Sequence, residues 1–129
     1  MKIFGIGNDI INIKRVQKSI KKNNPKFINR IFTKREILYC HSKKTPVNYY
    51  AKRFAAKEAC SKALGTGIRK GIDFKDIEIQ NDNKGKPFII LSGNTKKFLE
   101  KKTKKKYKIY LTLSDDAPWA YATVLITHN

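Results

Sequence analysis

The chain has 129 residues, 40% of them hydrophobic, enough for one domain spanning residues 1–129 with a modest core. Lysine and arginine number 29 against 10 acidic residues, a formal net charge of +19 carried by 24 Lys and only 5 Arg. No apolar run approaches the ~18 residues of a membrane span, and Cys40 and Cys60 match neither a disulfide framework nor a metal-ligand spacing.

Met1 leads straight into Lys2-Ile3-Phe4-Gly5-Ile6-Gly7, which reads as a strand and lacks the pattern of a secretory signal. A cytoplasmic location is therefore expected, or an organelle stroma if a leader has been removed. Asn8 or Asp9 is placed to cap a helix whose apolar positions Ile10, Ile13, Val16 and Ile20 recur at helical spacing, and Asn23-Asn24-Pro25 stops it. A short helix over Lys26 to Ile31 follows. Thr33 then stands three residues before Glu36, the capping-box arrangement that opens another. Thr45-Pro46 opens the longest helix, Val47 to Leu64, which Gly65-Thr66-Gly67 ends. Ile77 to Gln80 and Phe88 to Leu91 read as a hairpin around "NDNKGKP". A basic helix from about Asn94 to Lys105 precedes strands at Tyr107 to Leu113 and Trp119 to Thr127, joined by a "SDDAP" turn at Ser114 to Pro118. Helices first and strands mostly afterwards give an α+β class.

The chemistry lies in two segments. Gly5-Ile6-Gly7 lacks the third glycine of a dinucleotide loop, because Ile10 stands where it would be. Asp9 behind it repels a bare phosphate, since unit charges about 4 Å apart interact by roughly 4 kcal/mol at an effective dielectric near 20. Asp9 therefore either caps a helix or helps hold Mg²⁺ that carries phosphates. In the long helix, Glu58 and Lys62 stand four residues apart on one face, with Phe54 a turn earlier. Alone, that pair is an ordinary solvated ion pair on a helix surface. Ala55, Ala59 and Ala63 form a small-residue stripe beside it, where another segment can approach closely.

Taken together, Gly7-x-Asp9, Arg15 and "FAAKEACSKALGTGI" (Phe54 to Ile68) resemble the holo-[acyl-carrier-protein] synthases, the small bacterial-type 4'-phosphopantetheinyl transferases. The likeness runs the length of the chain, including the Gly85-Lys86-Pro87 turn and the closing "AYATV" at Ala120 to Val124. It implies the 4'-phosphopantetheinyl transferase fold, with an antiparallel-rich sheet packed on a long central helix and several shorter helices. It also implies a homotrimer with active sites between subunits. The implied reaction moves the 4'-phosphopantetheine arm of coenzyme A to a serine of apo acyl carrier protein, releases adenosine 3',5'-bisphosphate and supports fatty acid biosynthesis.

The resemblance places Mg²⁺ on Asp9 and Glu58, makes Glu58 and Lys62 catalytic, and assigns coenzyme A binding to Arg53, Lys62, Gly65, Gly85, Lys86 and Pro87, with Lys44 as a further phosphate contact. Glu58, through a water on the ion, is the expected acceptor of the serine proton. Arg15 would meet the carrier protein, and Lys14, Lys18, Lys21 and Lys22 make its helix strongly cationic, which gives the net charge a use in steering acidic partners. One departure is Asp115, which stands in the turn where some members carry a histidine near the nucleotide 3'-phosphate.

Two rivals compete with this reading. A basic nucleic-acid-binding module would interleave its cations with aromatics, whereas Lys101 to Lys106 reaches none before Tyr107. A non-catalytic subunit binding an acidic partner would have no need of Asp9, Glu58 and Lys62 together. Neither membrane nor nucleic acid is an expected partner.

Overall fold

A long strand, β1, occupies Lys2–Asn12, further than its glycines alone suggest. It pairs antiparallel with the last strand, β5 (Trp119–His128), so that Asp9 faces Ala122 and Asn12 faces Trp119. The computed structural model describes all 129 residues. The chain between these strands forms α1 (Ile13–Asn23), α2 (Lys26–Ile31), α3 (Lys34–His41), α4 (Pro46–Ala63), a 3₁₀ turn at Phe74–Asp76, β2 (Ile77–Asn81), β3 (Pro87–Leu91), α5 (Gly93–Thr103) and β4 (Tyr107–Asp116).

Two antiparallel sheets result, one ordered β1-β5-β4 and one the β2-β3 hairpin. The α+β class and its sheet-on-helix plan agree with the sequence reading. β5 shows the expected alternation: Ala120, Ala122, Val124 and Ile126 are buried under α4, while Trp119, Tyr121 and Thr123 face outward. α4 lies across the inner face of this sheet, and its alanines 55, 56, 59 and 63 join Ile77, Ile79, Leu99, Val124 and Ile126 in the larger core cluster. Cys40 and Cys60 are buried and free, and burial pushes both thiols up to about 12.

The sequence reading ended the first strand too early. Neither Asn8 nor Asp9 caps a helix: both lie within β1, and Asn12 caps α1 by accepting the Lys14 amide proton at 2.9 Å. The β-branched Ile10 and Ile11 continue the pairing to Tyr121 and Ala120, so sheet contacts outweigh the helical spacing of Ile10 with Ile13. The Thr33–Glu36 capping box forms, whereas the Thr45 side chain makes no cap hydrogen bond and Pro46 alone marks the start of α4. The "SDDAP" segment also begins as strand, since Ser114 to Asp116 still pair with Tyr121 to Trp119.

Candidate active site

Gly5 and Gly7 decide how β1 meets α4. A Cβ built on Gly5 would fall on the Ala63 carbonyl oxygen, and one on Gly7 would fall on the Ala59 carbonyl oxygen and lie 2.7 Å from the Ala63 nitrogen. Strand backbone thus rests directly on helix backbone, with the glycines on one side and the alanine stripe on the other. Successive inward positions of a strand are two residues apart. Asp9 therefore follows Gly7 onto the same face and arrives beside the next exposed turn of α4.

There Lys62 Nζ meets Asp9 Oδ1 at 2.9 Å and also donates to the Asn8 carbonyl at 3.1 Å. The lysine side chain remains 51% exposed, so solvent screens the pair and its interest lies in placement more than in stability. Glu58, one turn earlier on α4, shares a cleft of about 280 Å³ with Asp9, Arg15, Phe27 and Phe54. Burial raises the Glu58 pKa, the nearby Asp9 carboxylate raises it further, and Lys62 pulls it back. The two carboxylates are therefore electrostatic neighbours although they stand on different elements. A larger apolar groove of about 730 Å³ adjoins this cleft and shares Phe27 and Phe54 with it.

No group of three or more His, Cys, Asp or Glu side chains lies close enough to hold a metal ion. The residues present still suit one kind of ion. Their donors are oxygens alone, and both the burial that chiefly lifts Glu58 and its repulsion by Asp9 are what a divalent cation would offset. Mg²⁺ accepts one or two carboxylates and completes its shell with water and phosphate oxygens.

Arg53 looks elsewhere. Five residues before Glu58 is about 140° round the helix at 100° per residue, and Arg53 lines a second cleft of about 380 Å³ together with Arg35, Tyr39, Lys43, Asn81 and Gly85. Its guanidinium carbon lies 4.1 Å from the centroid of the Tyr39 ring. Its Nη2 donates to Asn81 Oδ1 at 2.5 Å, while Nε, though buried, has no partner. Asn81 in turn donates from Nδ2 to the Gly85 carbonyl at 3.0 Å, pinning the hairpin turn. Gly85 takes φ +85°, and the Lys86 amide donates to Asp82 Oδ1 before Pro87 begins β3.

The predicted residues thus fall into two groups on one chain. Asp9, Arg15, Glu58 and Lys62 lie together, Arg53 and Gly85 lie together, and the two clefts share no lining residue. Gly65, at φ +83°, sits past the end of α4 with open space where a side chain would be. Lys43 lines the second cleft, whereas Lys44 is exposed and does not. Asp115, which the structure places near the end of β4 and not in a turn, pairs with Lys52 at 3.4 Å and so has a cation of its own. Sequence reasoning missed Tyr39 and Asn81; the one signal for Asn81 was its place at the head of the "NDNKGKP" turn.

This arrangement accompanies a broad likeness to known proteins. Residues 5–123 match the family model of the 4'-phosphopantetheinyl transferase superfamily. The chain belongs to this superfamily. A holo-[acyl-carrier-protein] synthase from Parvibaculum lavamentivorans is 46% identical over 127 residues, covering 97% of this chain and 96% of the relative. One from Photobacterium profundum is 44% identical over 126 residues and 98% of each chain. The crystal structure of the holo-[acyl-carrier-protein] synthase from Neisseria meningitidis superposes with a TM-score of 0.88 at 41% identity, covering 97% of this chain and 98% of that one. The Helicobacter pylori synthase in complex with coenzyme A gives a TM-score of 0.82 at 36% identity, over 95% and 99%. Within the superfamily the chain is a transferase of the holo-[acyl-carrier-protein] synthase branch.

Proposed function

We propose that this synthase moves the 4'-phosphopantetheine arm of coenzyme A to a serine hydroxyl of apo acyl carrier protein, with Mg²⁺ held by Asp9 and Glu58. The observation that carries the reading is the meeting of those two acids, from strand and helix, in one cleft with Lys62 ion-paired to Asp9. When bound, the ion would bring the coenzyme's pyrophosphate to two carboxylates that otherwise repel it, and offset charge as the phosphoryl group transfers.

The protein's own groups account for the remaining steps. Glu58, on the wall of the same cleft, would accept the serine proton through a water. The serine oxygen forms the new bond to the phosphorus that carries the pantetheine arm. The bond from that phosphorus to the bridging oxygen breaks, and adenosine 3',5'-bisphosphate leaves with the electron pair. Lys62, held beside Asp9, would offset charge growing on the bridging oxygen. The open backbone at Gly65 leaves room for the arm to pass. Arg53, whose Nε is free, and the turn at Gly85, Lys86 and Pro87 receive the nucleotide. Arg15, on the wall of the acidic cleft and on a helix rich in lysine, faces the acidic carrier protein.

A homotrimer completes this picture. The outer face of the β1-β5-β4 sheet exposes Ile6 (67%), Ile10 (53%), Tyr110, Trp119 and Tyr121, an apolar surface of the kind that subunit contacts cover. Assembly through it would let the Arg53 cleft of one subunit meet the Asp9 cleft of its neighbour. The cytoplasm is the proposed location, and no helix is long and apolar enough to cross a membrane.

The direct test incubates the protein with coenzyme A, Mg²⁺ and apo acyl carrier protein and weighs the carrier by mass spectrometry. The carrier should gain the mass of one phosphopantetheine arm on its serine. No gain across several carriers would remove the transferase reading.

A further inference from the structure

Lys57 and Glu36 form an ion pair with no exposed surface on either side chain, outside both clefts. Lys57 Nζ lies 2.8 Å from Glu36 Oε1 and donates to the carbonyls of Phe74 at 2.9 Å and Ile77 at 2.6 Å. Three ammonium protons meet three acceptors. Glu36 Oε1 also accepts the Thr33 amide, and its Oε2 accepts the Ile79 amide at 2.9 Å. Four segments (α3, α4, the 3₁₀ turn and β2) are thus fastened at one point.

Burying two charges is expensive, and apolar side chains of the same size often serve stability as well or better. What the pair supplies that they do not is register. Its bonds to Ile77 and Ile79 fix how far β2 lies along α4, and β2 ends two residues later at Asn81. Arg53 stands one turn before Lys57 on the same side of α4 and is the donor to Asn81, which also holds Gly85. Two anchors a turn apart therefore tie the helix to the same hairpin.

We propose that the Lys57–Glu36 pair is a positioning device for the nucleotide half of the site, setting β2 so that Asn81 holds Arg53 and the Gly85 turn ready for the coenzyme. This rests on the reading that the Arg53 cleft receives coenzyme A. The acidic cleft is tied to β1 by the glycine contacts and does not depend on this anchor.

Steady-state transfer assays on the wild type and the Glu36→Gln/Lys57→Met double variant test it, because the double change leaves no lone buried charge. The KM for coenzyme A should rise about tenfold, with the KM for carrier protein and kcat within about threefold of the wild type. Glu36→Gln alone removes the ion pair while Lys57 keeps its two carbonyl acceptors, and it should give the same split, so the inference stands testable even where the double variant does not fold. A KM for coenzyme A that stays within twofold in the folded variants overturns the positioning role, as does an equal loss in all three parameters. A wild type that transfers nothing removes the functional reading first, and this inference with it.

Discussion

A methyl group on Gly7 would run into the Ala59 carbonyl oxygen and come within 2.7 Å of the Ala63 nitrogen, both parts of a helix backbone that cannot swing aside. Gly7→Ala must therefore push β1 off α4. The expected loss is about 1–3 kcal/mol of stability, the usual range for overpacking, read by urea denaturation. Transfer should fall by more than this loss explains, because Asp9 moves with the strand. The titration of Glu58 gives a second prediction. Burial and Asp9 raise its folded pKa, while in the unfolded chain it titrates at its ordinary value. The stability linked to its proton is therefore present below the ordinary carboxylate range and is lost as pH rises through the raised value. With chelator present, Glu58→Gln should melt increasingly above the wild type as pH rises from the ordinary carboxylate range through the raised value, and the gap should then hold steady. A difference that stays flat or shrinks would show that Glu58 is not held in a repulsive site.

At the scale of elements, α4 organises the molecule by presenting different residues to different neighbours. Its alanine stripe receives β1, Lys57 and Arg53 hold the β2-β3 hairpin, Glu58 lines the acidic cleft and Lys62 pairs with Asp9. Much of this was legible in the sequence because it is local. The Thr33–Glu36 box, the helix start at Pro46 and its end before Gly65 follow from backbone chemistry within a few residues. The stripe of small residues announced a close approach without saying by what. The end of β1 was illegible because Asn8 and Asp9 look like caps, and only pairing with Thr123 and Ala122, more than a hundred residues away, keeps them in a strand. Glu36 misled in a different way. Its capping role was plain, but its second carboxylate oxygen serves Ile79, 43 residues on, and no spacing rule connects Glu36 with Lys57.

For the whole molecule, the sheet's outer face and the separation of the two clefts argue together for an assembly. Ile6→Asp places a charge on that apolar face without touching α4, and it should convert a trimer in analytical ultracentrifugation to monomer with loss of transfer. A wild type that sediments as a monomer yet transfers would refute the shared site. On the proposed assembly, the net charge of +19 would favour the approach of an anionic coenzyme and an acidic carrier. The central claim remains that Asp9 and Glu58 act as one pair toward a divalent ion and a diphosphate. Calorimetric titration of coenzyme A with and without Mg²⁺ measures that coupling directly. Mg²⁺ should tighten binding to the wild type about tenfold or more, about 1.4 kcal/mol of linkage, and the effect should vanish in both Asp9→Asn and Glu58→Gln. An unchanged Mg²⁺ effect in either variant would contradict the account.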